Sequence, residues 1–174
     1  MRNGAVEKKQ TMTREEIQNF GVQIVYEEMT KEGYEILGAN PSVAVTPQIV
    51  ARKNGRLCFV VVRTDVYPNK GKLAGDRELF YNLEHAERND ALCYFASVGI
   101  CNAAAADEGD EKAMGVPIRD EGFYVDFDGL KVMTTMRRIG VAGGNGIDTA
   151  VALGNGHGAK SSILKKIGSA IRGR

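Results

Sequence analysis

The chain has 174 residues and a net charge of +1 at pH 7, with a composition ordinary for one globular domain with a real core. Its longest apolar runs, Cys58 to Val62 and Ala91 to Cys101, fall far below a membrane span, and neither histidine lies near a pair of cysteines, which argues against a zinc site. The charge is uneven: residues 1–136 carry 16 basic and 21 acidic side chains, whereas residues 137–174 carry seven basic and one acidic.

The opening stretch, Met1 to Thr13, has no apolar core of a secretory signal and predicts a polar, frayed lead-in over residues 1–12. Cys58, Cys93 and Cys101 sit inside apolar runs, an odd count that predicts buried thiols in a reducing cytoplasm. Thr13 and Glu16 have capping-box spacing, and Ile17, Phe20, Ile24, Val25 and Met29 follow at helical intervals up to Gly33. Tyr34 to Asn40 reads as a short strand. Ser42 to Lys53 reads as the next, with Pro47 inside it marking an edge, bulge or junction. Asn54-Gly55 predicts a tight hairpin turn into Arg56 to Val66, a strand apolar on both faces and therefore central.

Tyr67 to Gly75 reads as a loop. A helix capped by Asp76 follows, with Leu79, Phe80, Leu83 and Ala86 facing inward. Ala91 to Ala103 is a second buried strand, and Ala104 to Gly122 an acidic loop. Phe123 to Met133 reads as a hairpin turning at Asp128-Gly129. The order α-β-β-β-α-β plus a C-terminal hairpin predicts an α/β sandwich with a central mixed sheet over residues 13–136. Residues 137–174 read as a Gly-rich basic tail, with Ile163, Ile167, Ala170 and Ile171 on one face of a short amphipathic helix.

The run from Phe20 to Arg63, with Gly33-Tyr34, Asn40, Pro47-Gln48 and Val61-Val62-Arg63 at their spacings, resembles the small Holliday-junction-resolvase-like proteins of the PD-(D/E)XK nuclease superfamily. Phe123 to Met133 looks like that family's later hairpin. The resemblance covers roughly residues 13–136 and implies a restriction-endonuclease-like three-layer sandwich. In active members it implies an Asp and a Glu holding Mg²⁺, a nearby Lys that positions water, a helix Glu that assists, and phosphodiester hydrolysis. Here the helix Glu position is Val22, the Asp position Gln48, the Glu position Val61 and the Lys position Arg63. Valine has no ligand atom, a lone amide oxygen holds Mg²⁺ weakly, and a guanidinium stays protonated. The pattern is that of a degenerate active site.

Asp65 is the best candidate for a relocated carboxylate, since residues 61, 63 and 65 share one face of a strand; Glu27, Glu28 or Asp76 would have to join it. The plainer reading is that Asp65 ends a strand, pairs with Arg63 or caps a turn. For Arg63 the plainer reading is a pair with Asp65 or a contact to Gln48, and the functional one a phosphate contact. Gly154 to Ser161 nearly spells a phosphate loop but lacks the second glycine and a following parallel strand, so a flexible linker fits better.

The expected protein is thus a non-catalytic, cytoplasmic binding or assembly module without a cofactor. It is an expected partner of nucleic acid or of another protein through its tail, or of a second copy of itself. One alternative is a nucleic-acid-binding accessory using Arg63, Lys160, Lys165, Lys166 and Arg172. The other is a divergent Mg²⁺-dependent nuclease with a site relocated to Asp65.

Overall fold

A computed structural model describes residues 8–137, 148–154 and 165–167. Thr13 starts helix α1 (Arg14–Lys31): its hydroxyl accepts from the Glu16 amide at 3.2 Å, and Glu16 Oε2 accepts from the Thr13 amide at 2.7 Å. Gly33, at φ 86°, ends it. Its amide donates to Thr30 and that of Tyr34 donates to Met29, a complete Schellman closure. Upstream, Gln10 to Met12 do not fray: Arg119 donates to the Gln10 carbonyl and Met12 to that of Pro117.

The chain then forms β1 (Glu35–Ala39), β2 (Ile49–Lys53) and β3 (Arg56–Val66) as an antiparallel meander. Asn54 and Gly55, both at positive φ, make the expected turn between β2 and β3. Strand β2 is shorter than expected. Proline has no N–H for a ladder, and Ser42 to Thr46 form a turn before Pro47 instead of extending the strand.

Helix α2 (Asp76–Arg88) and strand β4 (Leu92–Asn102) follow, with β4 parallel to β3 from Cys58↔Leu92 to Val66↔Ile100. The cap of α2 is Gly75, and Asp76 is its first helical residue. Phe80, expected inside, is 41% exposed, and Asn82 takes an inward position. The acidic stretch after β4 holds two short helices, α3 (Ala103–Glu108) and α4 (Glu111–Met114), capped by the side chains of Asn102 and Asp110.

Strands β5 (Phe123–Asp126) and β6 (Lys131–Arg137) correct the hairpin expected at Asp128-Gly129. They do not pair with each other; both run antiparallel to β4, at Gly99–Asn102 and at Tyr94–Phe95, as one strand interrupted over residues 127–130. Phe123 and Val125 of β5 are buried in the α1-side core and Met133 of β6 in the α2-side core, so the two segments are fixed by the cores they enter and not by pairing with each other. The antiparallel partner of β6 is β7 (Asp148–Gly154). Strand β8 (Lys165–Ile167) pairs with β5, so a strand stands at the centre of the helix expected over the tail. A three-residue segment beside an open strand edge satisfies its backbone by pairing, which an isolated short helix does poorly. Lys160, Arg172 and nearly all of the phosphate-loop-like stretch lie outside the described residues.

Among the described residues the strands form one mixed sheet, ordered β1-β2-β3-β4-β5-β8, with β6 beside β4 and β7 beside β6. Two cores flank it. Ile17, Val22, Val25 and Met29 of α1 pack on Val60, Val62, Ala96 and Val98. Leu79 and Ala86 of α2 pack on Phe59, Val61, Phe95 and Met133 on the opposite face. Helix α1 approaches β3 closely at Gly21, where an added Cβ would lie 1.7 Å from Thr64 Oγ1. Among the described residues no helix is long and apolar enough to cross a membrane.

Candidate functional site

Pairing of β2 with β3 stops at Ile49↔Val60, while β3 continues to Val66 along β4. The edge of β3 that loses its strand neighbour is closed by two glutamine side chains. Gln48 Oε1 accepts the Val62 amide at 2.9 Å. Gln18 Nε2 donates to the Val62 carbonyl at 2.9 Å, and Gln18 Oε1 accepts the Thr64 amide at 3.0 Å. Both glutamines are buried. A primary amide carries the donor and acceptor that a missing strand residue would have supplied.

Gln48 does more than close the edge. Its Nε2 donates to the carbonyls of Ser42 (3.1 Å) and Val45 (2.6 Å), and its Oε1 also accepts from Arg63 Nη1 at 3.1 Å. A carboxylate here would set negative oxygens against two carbonyl oxygens. The position that the resemblance assigns to a metal-binding Asp therefore holds a group whose donors are as necessary as its acceptor.

Arg63, 14% exposed, is bound on three sides: to Gln48, to the Val62 carbonyl at 2.8 Å, and to Glu78 of α2 as an ion pair. Glu78 Oε2 in turn accepts the Ala74 amide at 2.6 Å, which ties the loop before α2 to the same cluster. Asn82 donates to the Glu78 carbonyl and accepts from Thr46. Strand β3, the Ser42–Thr46 turn and α2 are thus joined by one polar network with no charge left over.

The remaining positions are apolar. Val61, fully buried, belongs to the α2-side core, and Val22 to the α1-side core, so the sheet separates them. Asp65 does not pair with Arg63. Its Oδ1 accepts from Arg14 Nη1 at 3.1 Å and from the Val66 amide at 2.8 Å, which joins the first turn of α1 to the end of β3. Glu27 and Glu28 accept from Gln23 and Lys31 of their own helix, about 20 Å along the α1 axis from Arg14. Asp76 is exposed at the start of α2. Among the described residues no three His, Cys, Asp or Glu side chains are placed to hold a metal ion.

In front of this network opens a cleft of about 890 Å³, walled by Arg14, Gln18, Asn40, Arg63, Asp65 and Lys72 among others. Gly71 brings the far wall close. An added Cβ there would lie 1.8 Å from the Arg63 carbonyl oxygen, and Ser97 Oγ donates to the Gly71 carbonyl at 2.5 Å. Val43, 57% exposed, forms an apolar lip.

Gln18 and Glu78 were not singled out by sequence reasoning. Gln18 falls in register with Val22, Val25 and Met29, so a polar side chain on the inward stripe of α1 was the available signal. Glu78 is the third residue after the α2 cap, where an acid reaches back to amides before the helix.

Comparison with curated proteins returns no match, and comparison with solved structures returns none. Residues 15–133, from the first turn of α1 into β6, match the family described as "Domain of unknown function (DUF8840)", and the chain belongs to that family.

Proposed function

We propose that this protein is a non-catalytic binding or assembly module built on a nuclease-like, three-layer α/β frame, with the cleft beside Arg63 and Asp65 as its binding surface. The element order α-β-β-β-α-β and the helices on opposite faces of a mixed sheet support the frame. The observation that carries the loss of chemistry is Gln48. Its amide makes four hydrogen bonds, two as donor, at the position where a metal site would need an acid. Val22 and Val61 are committed to separate cores, and Arg63 is committed to Glu78. A group held this way holds the strand edge together and has nothing to offer a divalent cation.

The test is nuclease activity of the full chain on branched and linear DNA with Mg²⁺ and with Mn²⁺. No cleavage above a buffer control is expected. Cleavage abolished by Asp65→Ala would overturn the proposal in favour of a relocated metal site. Salt-dependent DNA binding without cleavage would point to a nucleic-acid accessory, and sedimentation of the same samples would report self-association.

A further inference from the structure

The cleft beside Arg63 and Asp65 has most of its charge already spent. Arg14 is paired with Asp65, and Arg63 with Glu78. Of the charged side chains that line the cleft, this leaves Glu15 and Lys72. Both are exposed, and neither has an ion-pair partner among the described residues. They have opposite signs and stand on different elements, Glu15 in the first turn of α1 and Lys72 in the segment before α2. Such a lining is unsuited to a polyanion, which is held by an excess of cations, because each guanidinium here already faces a carboxylate.

The rest of the lining is rich in neutral amides. Asn19 lies one helical turn after Glu15 on the same face of α1, and its side chain is exposed with no hydrogen bond among the described residues. Asn40 follows β1. Its Oδ1 accepts the Ser42 amide at 3.0 Å, and its Nδ2 has no partner among the described residues. A primary amide offers a donor and an acceptor side by side, the pair that a peptide group also presents. Apolar contact comes from the exposed Val43 and the half-buried Leu73.

We propose that the cleft binds a short extended peptide, with a cationic group toward Glu15, an anionic group toward Lys72, an aliphatic side chain against Val43 and Leu73, and its peptide groups on the Asn19 and Asn40 amides. This rests on the binding-module reading above and names the ligand of that module. The cleft, about 890 Å³, lies in the size range of ligand pockets, and a peptide of about three residues spans about 10 Å when extended. The two charged groups are either the ends of a free peptide or a basic and an acidic side chain within a longer chain. Each meets an exposed partner and contributes about threefold to affinity.

The test follows the backbone amide signals of the full chain by NMR as the tripeptide Ala-Leu-Ala, with free ends, is added to about 10 mM. Saturable shifts are expected at Glu15, Asn19, Ser42, Val43 and Lys72 to Ala74, and none at Leu92 to Ile100. Acetylating the peptide's amino end should weaken binding about threefold in the wild type and leave Glu15→Gln unaffected; amidating its carboxyl end should do the same with Lys72→Gln. If a variant disturbs Leu92 to Ile100, the end-blocked peptides on the wild type decide. The doubly blocked peptide acetyl-Lys-Leu-Glu-amide separates the two sources. Binding as tight as that of Ala-Leu-Ala assigns the cleft to a segment within a longer chain, and weaker binding assigns it to a free peptide. No shifts at the cleft residues, shifts indifferent to blocking both ends of Ala-Leu-Ala, or the same shifts from inorganic phosphate alone overturn the proposal. Absence of peptide binding without DNA cleavage removes this ligand and leaves the module, whereas cleavage abolished by Asp65→Ala removes the module itself.

Discussion

Gln48 Oε1 lies 3.1 Å from Arg63 Nη1 and 2.9 Å from the Val62 amide, so one neutral oxygen serves a guanidinium and a strand edge at once. The same side chain holds the Ser42–Val45 turn through its nitrogen. A carboxylate at this position keeps the first pair of contacts and turns the second into repulsion.

Gln48→Glu should therefore destabilise the fold by about 3 kcal/mol at neutral pH, through two unsatisfied carbonyls and a buried charge. Urea unfolding of variant and wild type measures it. Equal midpoints would mean that the turn is not held by the amide.

Arg63 and Glu78 should behave as a unit. Removing one partner by Glu78→Gln or Arg63→Met strands a poorly solvated group and should cost about 3 kcal/mol, whereas the double variant Arg63→Met/Glu78→Leu should cost less than the two singles combined. A double-mutant cycle by chemical unfolding gives the coupling. Strict additivity would show that the pair is incidental.

Much of the fold was legible because local chemistry decides it. Thr13, Glu16 and Gly33 bound α1 by satisfying its end groups from neighbouring residues, and Asn54-Gly55 makes a turn that its own backbone favours. The Asp128-Gly129 pair looks equally local but was misleading, since β5 pairs along Gly99–Asn102 of β4 and β6 takes β7 as its main partner, so the two flanking segments never face each other. At the site, the absence of acids at Val22, Gln48 and Val61 was readable residue by residue. What replaced them was not. Gln18 and Glu78 reach β3 from 44 and 15 positions away in sequence, and no spacing rule announces such contacts.

The cysteines should separate by accessibility. Burial pushes the Cys93 thiol up to about 12 and raises that of Cys58, and both are buried, whereas Cys101 is partly exposed. Ellman's reagent at mildly alkaline pH should label Cys101 first and reach Cys58 and Cys93 only on unfolding. Labelling of all three at one rate in the native protein would contradict the packing of β3 and β4.

Alkaline pH should weaken the fold before it titrates Tyr34. Burial pushes this phenol from its usual 10.0 up to about 12 and raises that of Tyr94 as well. Between these values the unfolded chain has released a proton that the folded chain still holds, so stability falls as pH rises through that window. Tyr34→Phe should flatten the decline, and the stability of both proteins measured from pH 9 to about pH 12 tests it.

The contact between Gly21 and Thr64 has a mechanical consequence. With no side chain between them, helix and strand have no room to slide, and Thr64 Oγ1 is buried there without a hydrogen-bond partner. Helix α1 and strand β3 therefore act as a single stiff wall. Any breathing of the cleft is carried by its other sides, the Ser42–Thr46 turn and the Gly71–Ala74 segment, and a ligand that tightens the protein will register as slowed motion in those two stretches alone.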